Sequence, residues 1–278
     1  MRFAICNEMF KGWPHAQVAA TVRALGYEGV EIAPFTLGDG PEPGTAAARL
    51  QQDRVRAIRK SFEDAGVTVI GLHWLLAFSG PMSITSEDGD LVARSADHLK
   101  ALVRLCRDLG GELMVFGSPA QRMLSEGQDP AAVFDRVVWL MKDVALAASN
   151  DGVVICMEPL TPKETNFINT MAEGVRLVEA VNHPAFRLHL DVKAMAGAET
   201  SPPADVILRE GGKRLHHFHA NDVNLLGPGM GSVDQRPIGG ALKTIGYNRW
   251  VSVETFAEGP GPEEIARMSM ESLKACYS

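Results

Sequence analysis

The stretch SNDGVVICMEPL (149–160) contains the unit from which the whole fold is predicted. Its Asn-Asp pair and Gly152 are typical of a helix end, because these residue types adopt the left-handed conformation that terminates a helix. The run from 153 to 157 is continuously apolar, as expected for a strand that is buried on both faces. Glu158 then closes the run. The stretch therefore predicts a parallel strand, packed between helices, that presents a carboxylate at its carboxyl end.

The same unit recurs along the chain. The predicted strands are RFAIC (2–6), GVEIA (29–33), VTVIGLH (67–73), ELMVFG (112–117), GVVICME (152–158), FRLHLD (186–191), RLHHFHA (214–220) and RWVSVE (249–254). Longer segments with helical spacing of apolar residues lie between them. Eight such units without a dividing linker predict one α/β domain over residues 1–278, a single (β/α)8 TIM barrel. The first strand is not followed by GxGxxG, which disfavours a dinucleotide-binding fold.

Composition narrows the possible partners. The net charge is −7 and there is no Lys/Arg-rich run, so nucleic acid is not an expected partner. No segment has the roughly 18 consecutive apolar residues of a membrane span. The first residues make a poor signal peptide, so a cytoplasmic location is expected. The four cysteines are far apart and form no CxxC pair, which predicts neither a disulfide nor a zinc knuckle.

Four strand ends carry residues that bind metals. Strands five to eight close with Glu158, Asp191, His219 and Glu254, and in a barrel of this kind the carboxyl ends of the strands form the active face. Three carboxylates in a partly dry cavity require a compensating cation or bound protons. Oxygen ligands with one imidazole suit one divalent ion, Mn²⁺ first, with Mg²⁺, Zn²⁺ or Co²⁺ as alternatives. The sequence therefore predicts a catalytic metal site.

The alternation of side chains along a strand predicts where the neighbouring histidines point. His217 is expected one layer below His219 and His189 below Asp191, where both would orient the ligands, whereas His216 points outward. At the ends of earlier strands, His73 and Glu31 are expected to point toward the rim. Candidate substrate contacts here and in the following loops are His73, Trp74, which would form an apolar wall, and Arg122, which would bind hydroxyls or an anionic group.

The pattern MEP…HLD…HFHAND…SVETF resembles the xylose isomerase-like TIM barrels, and within them the tagatose 3-epimerase and hydroxypyruvate isomerase type. The resemblance implies that Glu158, Asp191, His219 and Glu254 bind the metal and that the two glutamates also exchange protons with the substrate. It also implies a substrate-binding role for Glu164, a small carbohydrate as substrate, and a homodimer or homotetramer.

Two positions depart from that type. Ala194 and Leu225 stand where the tagatose-type enzymes carry a histidine and an arginine, so the contacts that grip a ketohexose are missing. Lys193, Asn221 and Asp222 are nearby and are expected to bind the substrate in their place.

These residues lead to the hypothesis of a metal-dependent sugar isomerase or epimerase of carbohydrate metabolism. Glu158 and Glu254 would transfer protons through a metal-stabilised enediolate. A dehydratase of the inosose or dehydroshikimate type remains an alternative on the same scaffold. An endonuclease acting at abasic sites and a non-catalytic sugar-binding protein are less consistent with the acidic charge and with the complete ligand set, respectively.

Overall fold

A closed barrel of parallel strands forms the centre of the computed structural model, which describes residues 1–212, 214–256 and 259–278. Each strand pairs with its neighbours in chain order, and β8 returns to pair with β1. The strands are β1 Arg2–Cys6, β2 Gly29–Ile32, β3 Thr68–Leu72, β4 Leu113–Phe116, β5 Val154–Met157, β6 Phe186–Asp191, β7 Leu215–Ala220 and β8 Trp250–Val253. All eight predicted strands and the predicted barrel are confirmed within the described residues.

Helices cover the outside of the barrel. They are α1 His15–Leu25, α2 Pro43–Ala47, α3 Gln52–Glu63, α4 Gly89–Leu109, α5 Pro130–Asn150, α6 Met171–Val181, α7 Val192–Ala198, α8 Pro203–Val206, α9 Gln235–Thr244 and α10 Pro262–Tyr277. Side chains cap the amino-terminal ends of several helices. Asp88 and Asp129 accept hydrogen bonds from backbone N–H groups at the starts of α4 and α5, and Thr170 forms a capping box with Glu173 at the start of α6. Among the residues that the structure describes, no helix combines the length and apolar content needed to cross a membrane.

Glycines separate the helices from the strands that follow them, as the sequence predicted. Gly26 and Gly110 lie directly after α1 and α4 with φ of 101° and 92°. In this left-handed region a Cβ atom is unfavourable, so glycine ends a helix there at the lowest cost. The chain then turns back into the barrel within a few residues, which fixes where each strand starts and therefore which residue closes it.

The barrel interior is layered. Its amino-terminal end is filled by a small apolar cluster that includes Ile70, Cys156 and Trp250. Gly29 leaves room for this packing, because a Cβ there would lie 2.6 Å from the Ile70 side chain and 3.0 Å from the Trp250 ring. The much larger core lies between the strands and the helices. Polar side chains occupy the interior above the small cluster, at the carboxyl ends of the strands.

Candidate active site

Four side chains converge at the carboxyl end of the barrel. Glu158 follows β5, Asp191 and His219 lie in β6 and β7, and Glu254 follows β8. One ligand atom of each lies within 4.8 Å of a ligand atom of every other, and all four side chains are buried. The structure therefore brings together the four residues that the strand ends single out.

Asp191 is held by two hydrogen bonds. As the residue preceding α7, it accepts a 2.7 Å bond on Oδ1 from the backbone N–H of Ala194. Its Oδ2 accepts a 2.5 Å bond from Nδ2 of Asn221. Asn221 is itself fixed, because its Oδ1 accepts the backbone N–H of Lys193 at 2.9 Å. The orientation of the Asp191 carboxylate is thus fixed by its place in β6, by the backbone at the start of α7 and by the side-chain amide of Asn221, which follows β7.

Glu158 is positioned differently. A Cβ on Gly117 would lie 2.3 Å from Oε2 of Glu158, so the glycine after β4 leaves the space that this carboxylate occupies. Among the described residues no hydrogen bond is donated to its carboxylate, and Nε2 of His189 lies 3.8 Å from Oε1. Burial, reinforced by the charges of Glu254 and Asp191, raises the pKa of Glu158 well above its ordinary value.

His219 and Glu254 form a buried pair. Nδ1 of His219 lies 3.1 Å from Oε2 of Glu254, and Nε1 of Trp74 donates a 2.9 Å hydrogen bond to Oε1 of the same carboxylate. Burial alone would lower the pKa of His219, but the carboxylates of Glu31 and Glu254 outweigh it and raise this pKa well above its ordinary value. Burial also opposes ionisation of Glu254, yet the neighbouring His219 lowers the pKa of Glu254 to about 2.

This donor set fits a divalent cation. Oxygen atoms from three carboxylates and one imidazole nitrogen are the ligands that Mn²⁺ and Mg²⁺ accept, and Zn²⁺ or Co²⁺ also bind such a set. Burial and the charges of the neighbouring carboxylates raise the pKa of Glu158. A bound cation would offset both effects, because it stabilises the ionised carboxylate. The Glu158 carboxylate, which lacks a donor among the described side chains, is therefore free to serve as a ligand.

A second layer of acids and imidazoles lies beneath the four candidate ligands. Glu31 is fully buried; it lies 2.7 Å from Nε2 of His217 and 3.2 Å from Nε2 of His219. Beside Glu254 rather than beneath it, Nε2 of His73 lies 2.7 Å from Oε2 of Glu8. The ring of His189 lies 4.2 Å from that of His219. His217 and His189 thus lie below the ligands. The contact of Glu31 with His219 and the hydrogen bond between Glu8 and His73 were not predicted from the sequence.

A cavity of about 230 Å³ opens above the four candidate ligands. Glu158 and Glu254 form its floor, and Lys193 and Glu164 form one polar wall, with Nζ of Lys193 2.8 Å from Oε1 of Glu164. Burial would lower the pKa of Lys193, but Asp191 and Glu164 outweigh it and raise this pKa, so the amine is charged. Further lining residues are His73, Trp74, Val115, Gly117, Ser118, Pro119, Leu160, Leu225 and Phe256.

Three of the predicted substrate contacts lie elsewhere. Arg122 is fully buried rather than on a surface loop, and its Nη1 donates a 2.7 Å bond to the carbonyl oxygen of Glu158. Asn221 contacts Asp191, as described above. Asp222 accepts backbone N–H bonds from Val223 and from residues 231–233, so it organises the loop after β7. None of the three lines the cavity.

Two features of the cavity were not predicted from the sequence. Gly117 makes space for Glu158, and Phe256 forms part of the apolar wall. Gly117 ends the predicted fourth strand, and its position directly after an apolar run was the available signal. Phe256 follows Glu254 by two residues, and nothing in the local pattern distinguishes it from a surface residue.

The family model described as xylose isomerase-like TIM barrel matches residues 19–276. The chain belongs to this family. The resemblance drawn from the strand ends is therefore confirmed, and the barrel described above is the family's fold.

Two curated relatives and one solved structure illustrate what this family member is similar to. A D-psicose 3-epimerase of Ruminiclostridium cellulolyticum is 32% identical over 187 residues, 66% of this chain and 62% of the relative. An L-ribulose 3-epimerase of Methylomonas sp. is 29% identical over 187 residues, 66% of this chain and 64% of the relative. The matched regions thus span less than two thirds of either relative.

The fold comparison covers the whole chain. A D-psicose 3-epimerase crystallised in the presence of D-fructose superimposes with a TM-score of 0.83, at 23% identity, over 100% of this chain and 99% of the other. At that identity, the likeness establishes a shared architecture for this family member.

Proposed function

We propose that the protein is a divalent-metal-dependent sugar epimerase that acts on a ketose. The observation that carries the proposal is the convergence of Glu158, Asp191, His219 and Glu254 within 4.8 Å of one another, two of which, Glu158 and Glu254, form the floor of a cavity. The names of the curated relatives, D-psicose and L-ribulose 3-epimerases, support a ketose as the substrate. Mn²⁺ is the proposed ion, because three carboxylates and one imidazole suit it.

The two glutamates would carry the proton transfers. When bound, the cation would act as a Lewis acid on a carbonyl and its adjacent hydroxyl, which acidifies the C–H bond between them. One glutamate would enter the cycle as the carboxylate and accept that proton, and the other would enter it protonated and give its own proton to the opposite face of the same carbon. Trp74 and His219 would hold the Glu254 carboxyl group in place for this exchange. Removal of a proton from one face and return of a proton to the opposite face invert the configuration of one carbon.

The remaining cavity residues would bind and orient the sugar. The ammonium group of Lys193 and the carboxylate of Glu164 place a donor beside an acceptor, as vicinal hydroxyl groups require. His73 also lines the cavity, and Trp74 would lie against a nonpolar face of the sugar. Arg122 would act indirectly, by fixing the backbone of Glu158.

The experiment is solvent-deuterium incorporation into ketoses. The Mn²⁺-loaded protein is incubated in D₂O with D-psicose, D-fructose or L-ribulose, and incorporation at C3 is followed by NMR. We expect exchange by the wild type and a loss of about 10²- to 10⁴-fold in Glu158→Gln and Glu254→Gln. Glu63→Gln, on the exposed surface of α3, is the matched control. Exchange that persists in both active-site variants would refute the assignment.

Dehydration is the second candidate, because His73 and Glu8 form a hydrogen-bonded pair beside the same cavity. After a glutamate has removed the proton next to a carbonyl, a protonated His73 would give its proton to the hydroxyl that leaves the neighbouring carbon, releasing water. This mechanism predicts an unsaturated or deoxy-dicarbonyl product from an inosose. Mass spectrometry that detects only products of unchanged mass would exclude it.

A further inference from the structure

A chain of aromatic rings leads out of the active-site cavity. Phe256 and Trp74 line the cavity, and their ring centroids lie 5.9 Å apart. The Trp74 ring lies 6.0 Å from Phe35, and Phe35 lies 4.9 Å from Phe78 in an edge-to-face arrangement. Leu225 also lines the cavity, and its carbonyl oxygen accepts the backbone N–H of Phe256 at 2.9 Å. These five residues are called the apolar rim below.

The rim is built on strained backbone. Trp74, Phe78 and Leu225 have φ of 53°, 54° and 70°. A residue other than glycine in this left-handed region is strained and persists only where the surroundings impose it. The described part of the chain holds six such residues, and three of them are in the rim. Such a concentration at one opening indicates that the conformation serves that opening.

Folding does not account for the rim. Phe78 is 60% exposed, Leu225 41% and Phe256 37%, so these side chains gain only part of the free energy that full burial would provide. A single exposed apolar residue is ordinary, but a contiguous exposed set marks a binding surface. Strain and exposure both oppose stability here, so the rim is explained by what binds to it rather than by folding.

Continuity with the cavity identifies the occupant. Trp74 belongs to both places, because it bonds to Glu254 through Nε1 and packs against Phe35 through its ring. A cavity of about 230 Å³ lies below the usual size for a drug-sized ligand and suits a single monosaccharide. A sugar with its reacting carbons beside Glu158 and Glu254 would direct its far end toward the rim.

We propose that the apolar rim is a subsite for an aryl or alkyl group carried by the sugar at the end remote from the reacting carbons. The proposal rests on the proposed function and deepens it, since it assigns the substrate to substituted sugars rather than to free ketoses. The edges and faces of Phe35, Trp74 and Phe78 would enclose a planar or extended apolar group.

The test compares 6-O-benzyl-D-fructose with 6-O-methyl-D-fructose, which share the same blocked hydroxyl and differ in the apolar group. Binding to Mn²⁺-loaded Glu158→Gln protein is measured by calorimetry. We expect the benzyl compound to bind about tenfold more tightly. Adding Phe78→Ala should remove most of that preference, whereas adding Trp139→Ala, a 73% exposed aromatic on α5, should leave it unchanged.

Equal dissociation constants for the two sugars in the protein with an intact rim would overturn the proposal. The proposal also fails if Phe78→Ala weakens both sugars equally, or if it changes only the sedimentation coefficient, which would make the rim a contact between copies of the chain. Deuterium exchange by the protein with Glu158 intact separates the two proposals. A preference for benzyl that persists without exchange of either sugar would refute the proposed catalysis and keep the subsite.

Discussion

Nε2 of His219 lies 3.2 Å from both carboxylate oxygens of Glu31, on the side of the ring opposite to Glu254. If Nδ1 binds the cation, Nε2 carries the ring proton and donates a hydrogen bond to the carboxylate of Glu31. A carboxylate in that position fixes the tautomer and ring orientation of a metal-binding histidine and increases its basicity. Glu31 also accepts from His217, so a single buried acid organises two imidazoles.

Replacing Glu31 with Gln should therefore weaken metal binding without removing a ligand. The isosteric amide keeps the volume but loses the charge that stabilises the Nε2 proton of His219, and we expect a loss of about 10- to 100-fold in Mn²⁺ affinity. Competition with a chelator measures the affinity. Glu112→Gln, at the opposite end of the barrel beside Trp250, is the control. Unchanged affinity in Glu31→Gln would show that Glu31 serves only packing.

Gly117→Ala should displace Glu158. The new Cβ would lie 2.3 Å from Oε2, so the carboxylate must move away from the candidate metal position. We expect at least a tenfold loss of deuterium exchange with a circular dichroism spectrum like that of the wild type. Gly240→Ala, in α9 with no atom within 4 Å of the added Cβ, should retain full exchange. Equal activity in the two variants would contradict the assigned role of Gly117.

Lys193→Met should raise KM more than it lowers kcat. The ammonium group lines the cavity and is 13% exposed, so its hydrogen bonds to a sugar hydroxyl would be shielded from water. Bonds to charged donors contribute about 1.5–3 kcal/mol, which corresponds to roughly ten- to hundredfold in affinity. Steady-state kinetics on the ketose that exchanges best provide the readout. Lys142→Met, beside exposed Trp139, should leave both constants unchanged.

Acid should destabilise the fold partly through His216. Burial, with help from Arg249, lowers the pKa of His216 to about 3, whereas the unfolded chain protonates near its ordinary value of about 6.5. Between these values the unfolded state binds the additional proton, so the free energy of unfolding increases with pH and is lost as pH falls. Urea midpoints at pH 7 and pH 5 should differ less in His216→Gln than in the wild type. Parallel behaviour of the two proteins would reject this contribution.

Much of the fold follows from local sequence. The helix-ending glycines, Gly26 and Gly110 among them, adopt the left-handed conformations expected of them, and the apolar runs after them are strands. Parity along those strands then places Asp191 and His219 on the inner face. The site is predictable to this extent because the residue that closes a strand is fixed by where the strand begins.

Long-range contacts are what sequence patterns miss. Arg122 resembles a surface loop residue until the structure buries it beneath the carbonyl oxygen of Glu158. The contact of Glu31 with His219 joins β2 to β7 across the barrel, a distance that no local periodicity encodes. Phe256 gains its role only because Trp74, nearly two hundred positions earlier, folds against it.

Asp191 ends a strand, begins a helix and belongs to the candidate ligand set at the same time. Its two oxygens are already oriented by Ala194 and Asn221, so the protein alone holds the carboxylate in place. A substitution at position 191 would thus disrupt the junction between β6 and α7 as well as the candidate ligand set. Descendants of this chain that abandoned catalysis would still be under pressure to retain the aspartate, so its persistence in a sequence is weaker proof of activity than the persistence of Glu158.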